Sequence, residues 1–477
     1  MVKDIRRAEE FISRQKHLVN PEFRPVYHAA APCGWINDPN GFCFFGGKYH
    51  LFFQFNPYSS VWDSMHWGHW TSEDLVSWEW AGVALAPDMP YDSFGVFSGH
   101  AVVKDNTLYL IYTGVYTDEE GKQRQVQCIA FSKDGINFTK YEKNPVITAD
   151  QLPEGASLYD FRDPKVFRHN DKYRMVVASC GQKGGDLLLF DSGDLIHWEY
   201  VEKHIEGMAV MLECPDYFEL DDHTVTVVST IGMPFIEGKY SSPQPVLGLV
   251  DVEKNGPVGD ALDIGYDFYA PQTLLTPDGR RIMIGWMFMG PDDFPPRYLG
   301  HNWNNLMTVP RELRIENGRI LQFPAKELNA CRGKESAFAG KTISGKCGRI
   351  AELSIDIDVN DANEITLRTA ESEGEYFLIT YDVKSQVISL DRSKAGYLFG
   401  KDGATEERPN PKAILPAKDG KLGFSIYMDR SSCEVFSKDG SLVMSTLICP
   451  KGEADGFFCA SDNESANFAV TTWEIVK

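Results

Sequence analysis

The 477-residue sequence predicts an all-β chain, in which a five-bladed β-propeller is followed by a C-terminal β-sandwich and preceded by a short N-terminal helix. Two series of repeated segments predict the propeller, a change of pattern beyond residue 337 predicts the sandwich, and a charged amphipathic stretch predicts the helix. We expect a helical segment over 1–21, the propeller over 22–325, a linker over 326–336 and the sandwich over 337–477.

The N-terminal stretch MVKDIRRAEEFISRQKHLVN places Ile5, Ala8, Ile12 and Val19 on one side of a helix. It is charged throughout and lacks the continuous apolar segment of a secretory signal. No stretch of the chain approaches 18 consecutive apolar residues, so no membrane span is indicated. We therefore expect a cytoplasmic protein.

The first repeat series has the pattern Ser-x-Asp-x-x-x-aromatic, and its copies begin 60 residues apart at Ser72, Ser132 and Ser192. We expect the aromatic residue of each copy to pack between blades; these residues are Trp78, Phe138 and Trp198. A second series of short β-rich segments begins at Lys48, Thr107, Lys172, His223 and Arg281, with spacings of 59, 65, 51 and 58 residues. Several strands per unit of this length are typical of propeller blades, and the shared register favours them over an ordinary β-sandwich.

The strand that precedes each copy of the second series contains the candidate catalytic residues. These strands contain Asn37, Phe97, Phe161, Glu213 and Tyr269 near their beginnings. Innermost strands of a propeller line one central channel, so equivalent strand starts meet at one mouth. Asp38, Asp163 and Glu213 hold equivalent places in repeats one, three and four, and we expect these three carboxylates to converge.

Asp38 lies in GWINDPNGFCFF, which also has the composition of a type I β-turn. A turn residue has no reason to have acidic counterparts in two other repeats. Like charges brought together cost free energy, and a fold tolerates that cost mainly where the acids are used. We therefore interpret Asp38 as a functional residue.

Glycoside hydrolysis uses two carboxyl groups, of which one is ionised and the other protonated. We expect Asn37 and turn amides to hold Asp38 ionised. Glu213 follows the apolar stretch GMAVML and precedes Cys214, and we expect that setting to keep it protonated for work as a general acid.

Sugar binding also needs flat apolar faces beside hydrogen-bonding groups. The candidate mouth offers the aromatic residues Trp62, Trp67, Phe97, Tyr269 and Trp286 and the polar residues Asn37, Gln54, Ser98 and Arg162. His66 and His69 suggest a metal pair, but no third ligand lies near them in sequence, so we expect structural roles, no metal and no cofactor.

Composition argues against a polyanionic partner. The formal net charge is −21 and no Lys/Arg run is present, so neither nucleic acid nor a membrane is an expected partner.

The ten cysteines are scattered singly and are interpreted as free, buried thiols. Asp429 and Glu434 in the C-terminal third are interpreted as solvated or structural. The oligomeric state stays open.

The segments WINDPNG, FRDP and ECPD, in this order and spacing, resemble the motifs of glycoside hydrolase family 32, which contains invertases, sucrose-6-phosphate hydrolases, inulinases and levanases. The segments LFFQFNPY, MHWGHWTSEDLVSWE, FSGHA, FYAPQT and GWM also match, so the resemblance covers nearly the whole chain. It implies a five-bladed propeller with a C-terminal β-sandwich, and a retaining mechanism on β-linked fructofuranosides.

Carried over residue by residue, the resemblance implies that Asp38 is the nucleophile and Glu213 the acid and then the base. Asp163 with Arg162 would hold fructose hydroxyls and stabilise the oxocarbenium-like transition state. The fructose pocket would be lined by Asn37, Gln54, Ser98, Trp62 and Trp286. Cys214 would be a neighbour of the acid rather than a nucleophile.

Two residues depart from the family pattern. Ile36 replaces a common methionine and conserves volume. His100 stands where the family often has a serine, and we expect it to alter the leaving-group side.

The absence of a signal favours an imported substrate, and sucrose 6-phosphate delivered by a phosphorylating transporter is the first candidate, with sucrose or short fructo-oligosaccharides next. A phosphate site needs basic residues, and Lys122, Arg124 and Arg297 lie in plausible loops. Three alternatives remain: fructosyl transfer, an inverting mechanism, and a non-catalytic sugar-binding propeller. An inverting enzyme has its carboxyl groups about 6.5–9.5 Å apart, against about 5–5.5 Å in a retaining enzyme. A non-catalytic propeller would be marked by the loss of one of the three acids.

Overall fold

The structure is a computed structural model that describes residues 3–157, 159–233, 244–287, 294–400 and 408–477. Strands dominate these residues, which confirms the all-β class. Within the described ranges, five mainly antiparallel sheets cover 34–324 and two six-stranded sheets cover 332–475. None of the helices found in these ranges is long and apolar enough to cross a membrane.

The first sheet contains β1 (Gly34–Phe45), β2 (Lys48–Asn56), β3 (His66–Ser72) and β4 (Glu79–Leu85), with β19 (Trp303–Asn304) parallel to β1. The second contains β5 (Gly95–Lys104), β6 (Thr107–Thr117), β7 (Gln123–Ser132) and β8 (Thr139–Lys140). The third contains β9 (Phe161–His169), β10 (Lys172–Gly181), β11 (Gly184–Ser192) and β12 (Glu199–Met208). The fourth contains β13 (Met211–Leu220), β14 (His223–Ile231), β15 (Val246–Val250) and β16 (Gly259–Ala261). The fifth contains β17 (Tyr269–Leu275), β18 (Arg281–Trp286), β20 (Arg311–Glu316) and β21 (Arg319–Pro324).

The first strands of these five sheets contact one another in a closed ring, in the order β1, β5, β9, β13, β17 and back to β1. The second strand of each sheet begins at the residue where the second repeat series begins. Equivalent strand ends therefore face one central channel, as the sequence predicts.

The first repeat series forms the turn between the third and fourth strands of three sheets. In the first sheet, Ser72 donates a hydrogen bond to Asp74, whose carboxylate accepts the backbone N–H groups of Val76 and Ser77. Asp134 and Asp194 accept the same pair of N–H groups in their turns. The aromatic residues that end the repeat join the apolar clusters beside these sheets, which is the packing role predicted for them.

The segment GWINDPNGFCFF is not a turn, because all of it lies in β1. Each ring strand instead carries a β-bulge near its beginning, at 37–38 opposite Gln54, at Ser98, at 163–164 opposite Val177, at 214–215 opposite Val228 and at 270–271 opposite Gly285. Three bulges contain a proline and Pro39 follows the first. A bulge leaves a residue out of the ladder, so the missing N–H of proline costs little there. The turn-like composition therefore marks bulges.

The two six-stranded sheets enclose one apolar core. One has the order β22 (Arg332–Gly340), β33 (Asn467–Ile475), β24 (Ala351–Asp358), β29 (Lys421–Asp429), β30 (Ser432–Ser437) and β31 (Val443–Leu447). The other has the order β23 (Ile343–Lys346), β32 (Gly456–Ser461), β25 (Glu364–Ser372), β26 (Glu375–Asp382), β27 (Val387–Asp391) and β28 (Lys412–Ile414). The segment 326–336, predicted to be a linker, forms a 3₁₀ helix (Lys326–Cys331) and the beginning of β22.

The α-helices in the described ranges are α1 (Ile5–Gln15), α2 (Val252–Asn255) and α3 (Pro295–Tyr298), and the other 3₁₀ helices are Lys16–Leu18, Pro90–Asp92 and Ala149–Gln151. Asp4 caps α1 by accepting the N–H of Arg7 at 2.8 Å. Ala8 and Ile12 are buried against the first sheet. The helix ends before Val19.

Candidate active site

Asp38 lies at the bulge of β1, where its Oδ2 atom accepts a hydrogen bond from Ser98 Oγ at 2.5 Å. The thiol of Cys214 donates to the same oxygen at 3.4 Å. Burial raises the pKa of Asp38; the bond from Ser98 opposes the rise, and the negative charge of Glu213 adds to it. Asn37 bonds to this carboxyl as expected, and Ser98 and Cys214 from neighbouring ring strands take the place of the expected turn amides.

Asp163 is the most buried of the three acids, with 6% of its surface exposed. It has a positive φ of 64° at the bulge of β9, and its Oδ2 accepts the backbone N–H of Cys214 at 3.0 Å. Its own N–H donates to Thr113 Oγ1 at 3.0 Å. Burial raises the pKa of Asp163 to about 7, against the positive charge of Arg162 and with the help of the neighbouring carboxylates.

Glu213 is half-buried among polar groups. Its Oε1 accepts hydrogen bonds from Arg162 Nε at 3.1 Å and Nη2 at 2.9 Å, and its Oε2 accepts one from the hydroxyl of Tyr269 at 2.8 Å. The predicted apolar setting is therefore wrong. Met211 and Leu212, which precede it in β13, pack in a separate apolar cluster.

Cys214 joins the three acids. Its sulfur lies 3.4 Å from Asp38 Oδ2 and 3.6 Å from Asp163 Oδ2, and it follows Glu213 in the chain. Burial raises the pKa of this thiol well above its ordinary value, so it is a neutral donor. The structure thus brings together the three carboxylates that the repeats predicted would converge.

Aromatic side chains form two groups near the acids. The ring of Trp62, 45% exposed, lies perpendicular to Phe97, the residue before Ser98, at 5.9 Å. In the second group, Tyr269, which donates to Glu213, forms a perpendicular pair with Trp286 at 6.4 Å, and Trp35 packs against Trp286 at 6.1 Å. These positions suit the apolar faces of a sugar ring.

Three predicted binding residues support the backbone or other side chains. Trp67 is fully buried in an apolar cluster, so the prediction that it binds substrate is wrong; its Nε1 donates to the carbonyl of Phe97 at 3.1 Å. Gln54 donates to the carbonyl of Val96 at 3.0 Å. Asn37 accepts a hydrogen bond from Trp35 at 2.9 Å and bonds to the Asp38 side chain.

Sequence reasoning missed the residues that hold Arg162. Asp160 pairs with its Nη1 at 3.0 Å, and Gln125 accepts from the same nitrogen at 3.5 Å and from the N–H of Phe161 at 2.8 Å. The position of Asp160 beside FRDP is a signal that was available. Gln125 reaches the site only through the pairing of β6 with β7, which no local pattern reveals.

The histidines raised as candidates lie outside the acid cluster. His66 hydrogen-bonds to the carbonyl of Ser64, and burial lowers its pKa to about 4. His69 pairs with His50 at 2.9 Å. In the part of the chain that the structure describes, no group of three or more His, Cys, Asp or Glu residues is arranged to hold a metal ion. His100 lies two residues beyond Ser98 on β5 with 7% of its surface exposed, and its effect on the leaving-group side stays a prediction.

Comparison with known proteins matches both parts of the chain. The model of the glycosyl hydrolases family 32 N-terminal domain matches residues 28–324, and that of the family's C-terminal region matches 326–475. A sucrose-6-phosphate hydrolase of Escherichia coli is 37% identical over 449 residues, which cover 90% of each protein.

Two solved structures give the same result. Sucrose-6-phosphate hydrolase from Lactobacillus gasseri superposes with a TM-score of 0.86 at 26% identity, covering 98% of this chain and 96% of that one. A mutant of a Bombyx mori β-fructofuranosidase in complex with sucrose superposes with a TM-score of 0.84 at 30% identity, covering 99% and 98%.

Proposed function

The chain belongs to glycoside hydrolase family 32, and from that premise we propose that it is a β-fructofuranosidase that hydrolyses sucrose 6-phosphate and sucrose with retention of configuration. The observation that carries the proposal is the convergence of Asp38, Asp163 and Glu213 around the thiol of Cys214. The names of the relatives above support the substrate class. A non-catalytic sugar-binding protein would not need three acids in one polar cluster.

Asp38 attacks the anomeric carbon of the fructosyl unit while the bond from that carbon to the leaving oxygen breaks. Glu213 gives its proton to that oxygen and then takes one from the water that breaks the fructosyl–Asp38 bond. Ser98 orients the nucleophile through its 2.5 Å hydrogen bond. Asp163 and Arg162 bind fructose hydroxyls and stabilise positive charge at the anomeric carbon.

The ring of five sheets is interpreted as a five-bladed propeller over 22–325, and the two six-stranded sheets as a sandwich over 337–477. The segment 1–21 is the N-terminal helical extension. A phosphorylated sugar does not cross a membrane unaided, which supports a cytoplasmic location for an enzyme that acts on it. Short fructo-oligosaccharides are the second substrate class, and fructosyl transfer the second reaction.

Two of the three basic residues considered for the phosphate of the substrate are paired with acids. Lys122 pairs with Glu120 at 3.1 Å and Arg124 with Asp118 at 2.7 Å, and the Arg124 guanidinium stacks on Tyr159. Neighbouring acidic side chains thus neutralise the positive charges of Lys122 and Arg124. Hydrolysis of both sucrose forms is therefore proposed without a stated preference.

The test is fructose release from sucrose and from sucrose 6-phosphate side by side, with Asp38→Asn as the blank. We expect release from both by the unchanged enzyme and a loss of at least about 10³-fold in kcat for the variant, because it lacks the nucleophile. A folded enzyme that releases fructose from neither substrate would overturn the proposal. Glucose released in excess of fructose at high sucrose would indicate transfer.

A further inference from the structure

A second cavity, of about 620 Å³, lies at the end of the ring strands opposite the acids. All five ring strands contribute to it beyond their bulges, so it occupies the far end of the central channel. Its apolar wall includes Phe44, Val102, Phe167 and Leu275. It is separate from the acid cluster, which lies at the beginnings of the same strands.

Two cations face this cavity, and one of them, Arg281, has an incomplete set of partners. Lys165 is 4% exposed and pairs with the buried Asp216 at 2.9 Å, so these two charges balance. Arg281 lies over the ring of Phe218 at 4.7 Å, and its buried Nε has no hydrogen-bond partner among the described residues. Burial lowers the pKa of Arg281, against the attraction of Asp216 and Glu219. A buried guanidinium N–H without a partner is an incomplete interaction.

His100 supplies an independent observation. It is 7% exposed and lines the same cavity, yet neither ring nitrogen has a hydrogen-bond partner in the described part of the chain. The backbone of Val166 lies near the ring without the geometry of a hydrogen bond. Burial lowers the pKa of His100 well below its ordinary value, and Lys165 and Arg281 add to that effect. One nitrogen of the neutral ring carries a proton, and this unpartnered donor beside two cations indicates an acceptor that belongs between them.

We propose that this cavity binds a phosphate-type oxyanion, as inorganic phosphate or as the phosphate group of a small metabolite. Arg281 supplies charge-assisted hydrogen bonds in a fork that matches such an ion, and His100 donates one more from its neutral ring. Glu219 also lines the cavity and disfavours an anion at its own edge, so the ion lies toward His100 and Lys165. The site does not depend on the proposed reaction.

The experiment measures binding of inorganic phosphate by calorimetry at constant ionic strength, with chloride as the reference ion. We expect one site per chain in the unchanged protein. Arg281→Met is expected to raise the Kd at least about tenfold, since it removes charge-assisted bonds, and His100→Ser to raise it severalfold. The matched control Arg314→Met changes an exposed arginine of β20 and is expected to leave the Kd unchanged.

Asp38→Asn separates this site from the acid cluster, and its Kd for phosphate is expected to equal that of the unchanged protein. Glucose 6-phosphate serves as the second probe; if it binds with the same dependence on Arg281 and His100, the natural ligand is a phosphate monoester. Phosphate binding that is unaffected by both substitutions, or that fructose displaces, overturns the proposal. If Arg281→Met does not fold, the Kd of His100→Ser for phosphate is the deciding measurement, and a value equal to that of the unchanged protein overturns the proposal.

Discussion

At the scale of single residues, the three acids differ through their neighbours. Asp163 is held among other carboxylates with one backbone donor, Asp38 receives a hydroxyl and a thiol, and Glu213 receives a guanidinium and a phenol. Burial and the neighbouring carboxylates raise the pKa of Asp163 to about 7, a rise that the sequence did not predict.

The role of Glu213 predicts a dependence on the leaving group. Glu213→Ala is expected to lower kcat on sucrose by about 10²–10⁴-fold, since a sugar alcohol leaves poorly without a proton. The loss is expected to be much smaller on an aryl fructofuranoside, whose phenolate leaves readily. Steady-state rates on the two substrates measure this difference, with Ser98→Ala as a comparison that weakens both equally. Equal losses in Glu213→Ala would contradict the acid role.

The raised pKa of Asp163 predicts that this acid destabilises the fold at neutral pH. A carboxyl whose pKa is about 7 in the folded state and near 3.8 in the unfolded chain costs stability as pH rises between these values. Asp163→Asn has no charge to desolvate and is expected to gain on the order of 3 kcal/mol near pH 8 and almost nothing near pH 4. Denaturant unfolding at both pH values measures the gain. A variant that is equally or less stable at the higher pH would refute this account.

At the scale of secondary-structure elements, the bulges place the site. In a regular strand, side chains 37 and 38 would point to opposite faces; a bulge re-aims them while the rest of the strand stays in the ladder. β5 has its bulge at Ser98, next to Gly99, where the backbone of β6 approaches closely. A Cβ at Gly99 would lie 2.0 Å from the carbonyl oxygen of Ile111.

Gly99→Ala is therefore expected to lose at least about 1–3 kcal/mol of stability and also to lower kcat, because separating β5 from β6 moves Ser98 away from Asp38. Gly193→Ala is the matched control, since a Cβ there meets nothing within 4 Å and the backbone is not in the left-handed region. Thermal unfolding and fructose release check both effects. If the two variants behave alike, the close approach has no role in placing Ser98.

Sequence reasoning predicted the positions of the strands well and the surroundings of individual side chains poorly. The second strand of each sheet begins at the predicted residue, and each ring strand begins within about three residues of its predicted start, because alternation and turn chemistry are local properties. The burial of Trp67 and the polar surroundings of Glu213 depend on which neighbouring strand covers each side chain, and pairing between strands far apart in sequence sets that. Asp429 and Glu434 are buried, so the structural interpretation of the two acids is the valid one.

At the scale of the whole molecule, a buried ionic network joins the ring of sheets to the two-sheet domain. His28 contacts Asp429 at 2.9 Å and Glu434 at 3.0 Å, and Arg311 joins the network through Glu434 at 2.7 Å and Asp263 at 3.0 Å. All five side chains are fully buried. Paired charges buried between the two domains fix their relative position. Removing one partner lowers the free energy of unfolding, because the other charge is then buried without a counter-charge.

This network predicts how the stability of the molecule depends on pH. Burial alone would lower the pKa of His28, but its bonds to Asp429 and Glu434 raise it to about 9. Because that exceeds the ordinary value of 6.5, the stabilisation from the charged ring is complete below pH 6.5 and is lost as pH rises through about 9.

His28→Gln leaves a buried carboxylate poorly paired and is expected to cost about 3–5 kcal/mol at pH 6.5. The cost is expected to shrink toward about pH 9.5, where the unchanged protein has lost the same charge. Thermal unfolding across this range measures the two curves, with His197→Gln, an exposed histidine paired with Asp194, as the control that should follow the unchanged protein. Parallel curves for His28→Gln and the unchanged protein would show that His28 is uncharged in the fold and that the domains are held together by the remaining groups.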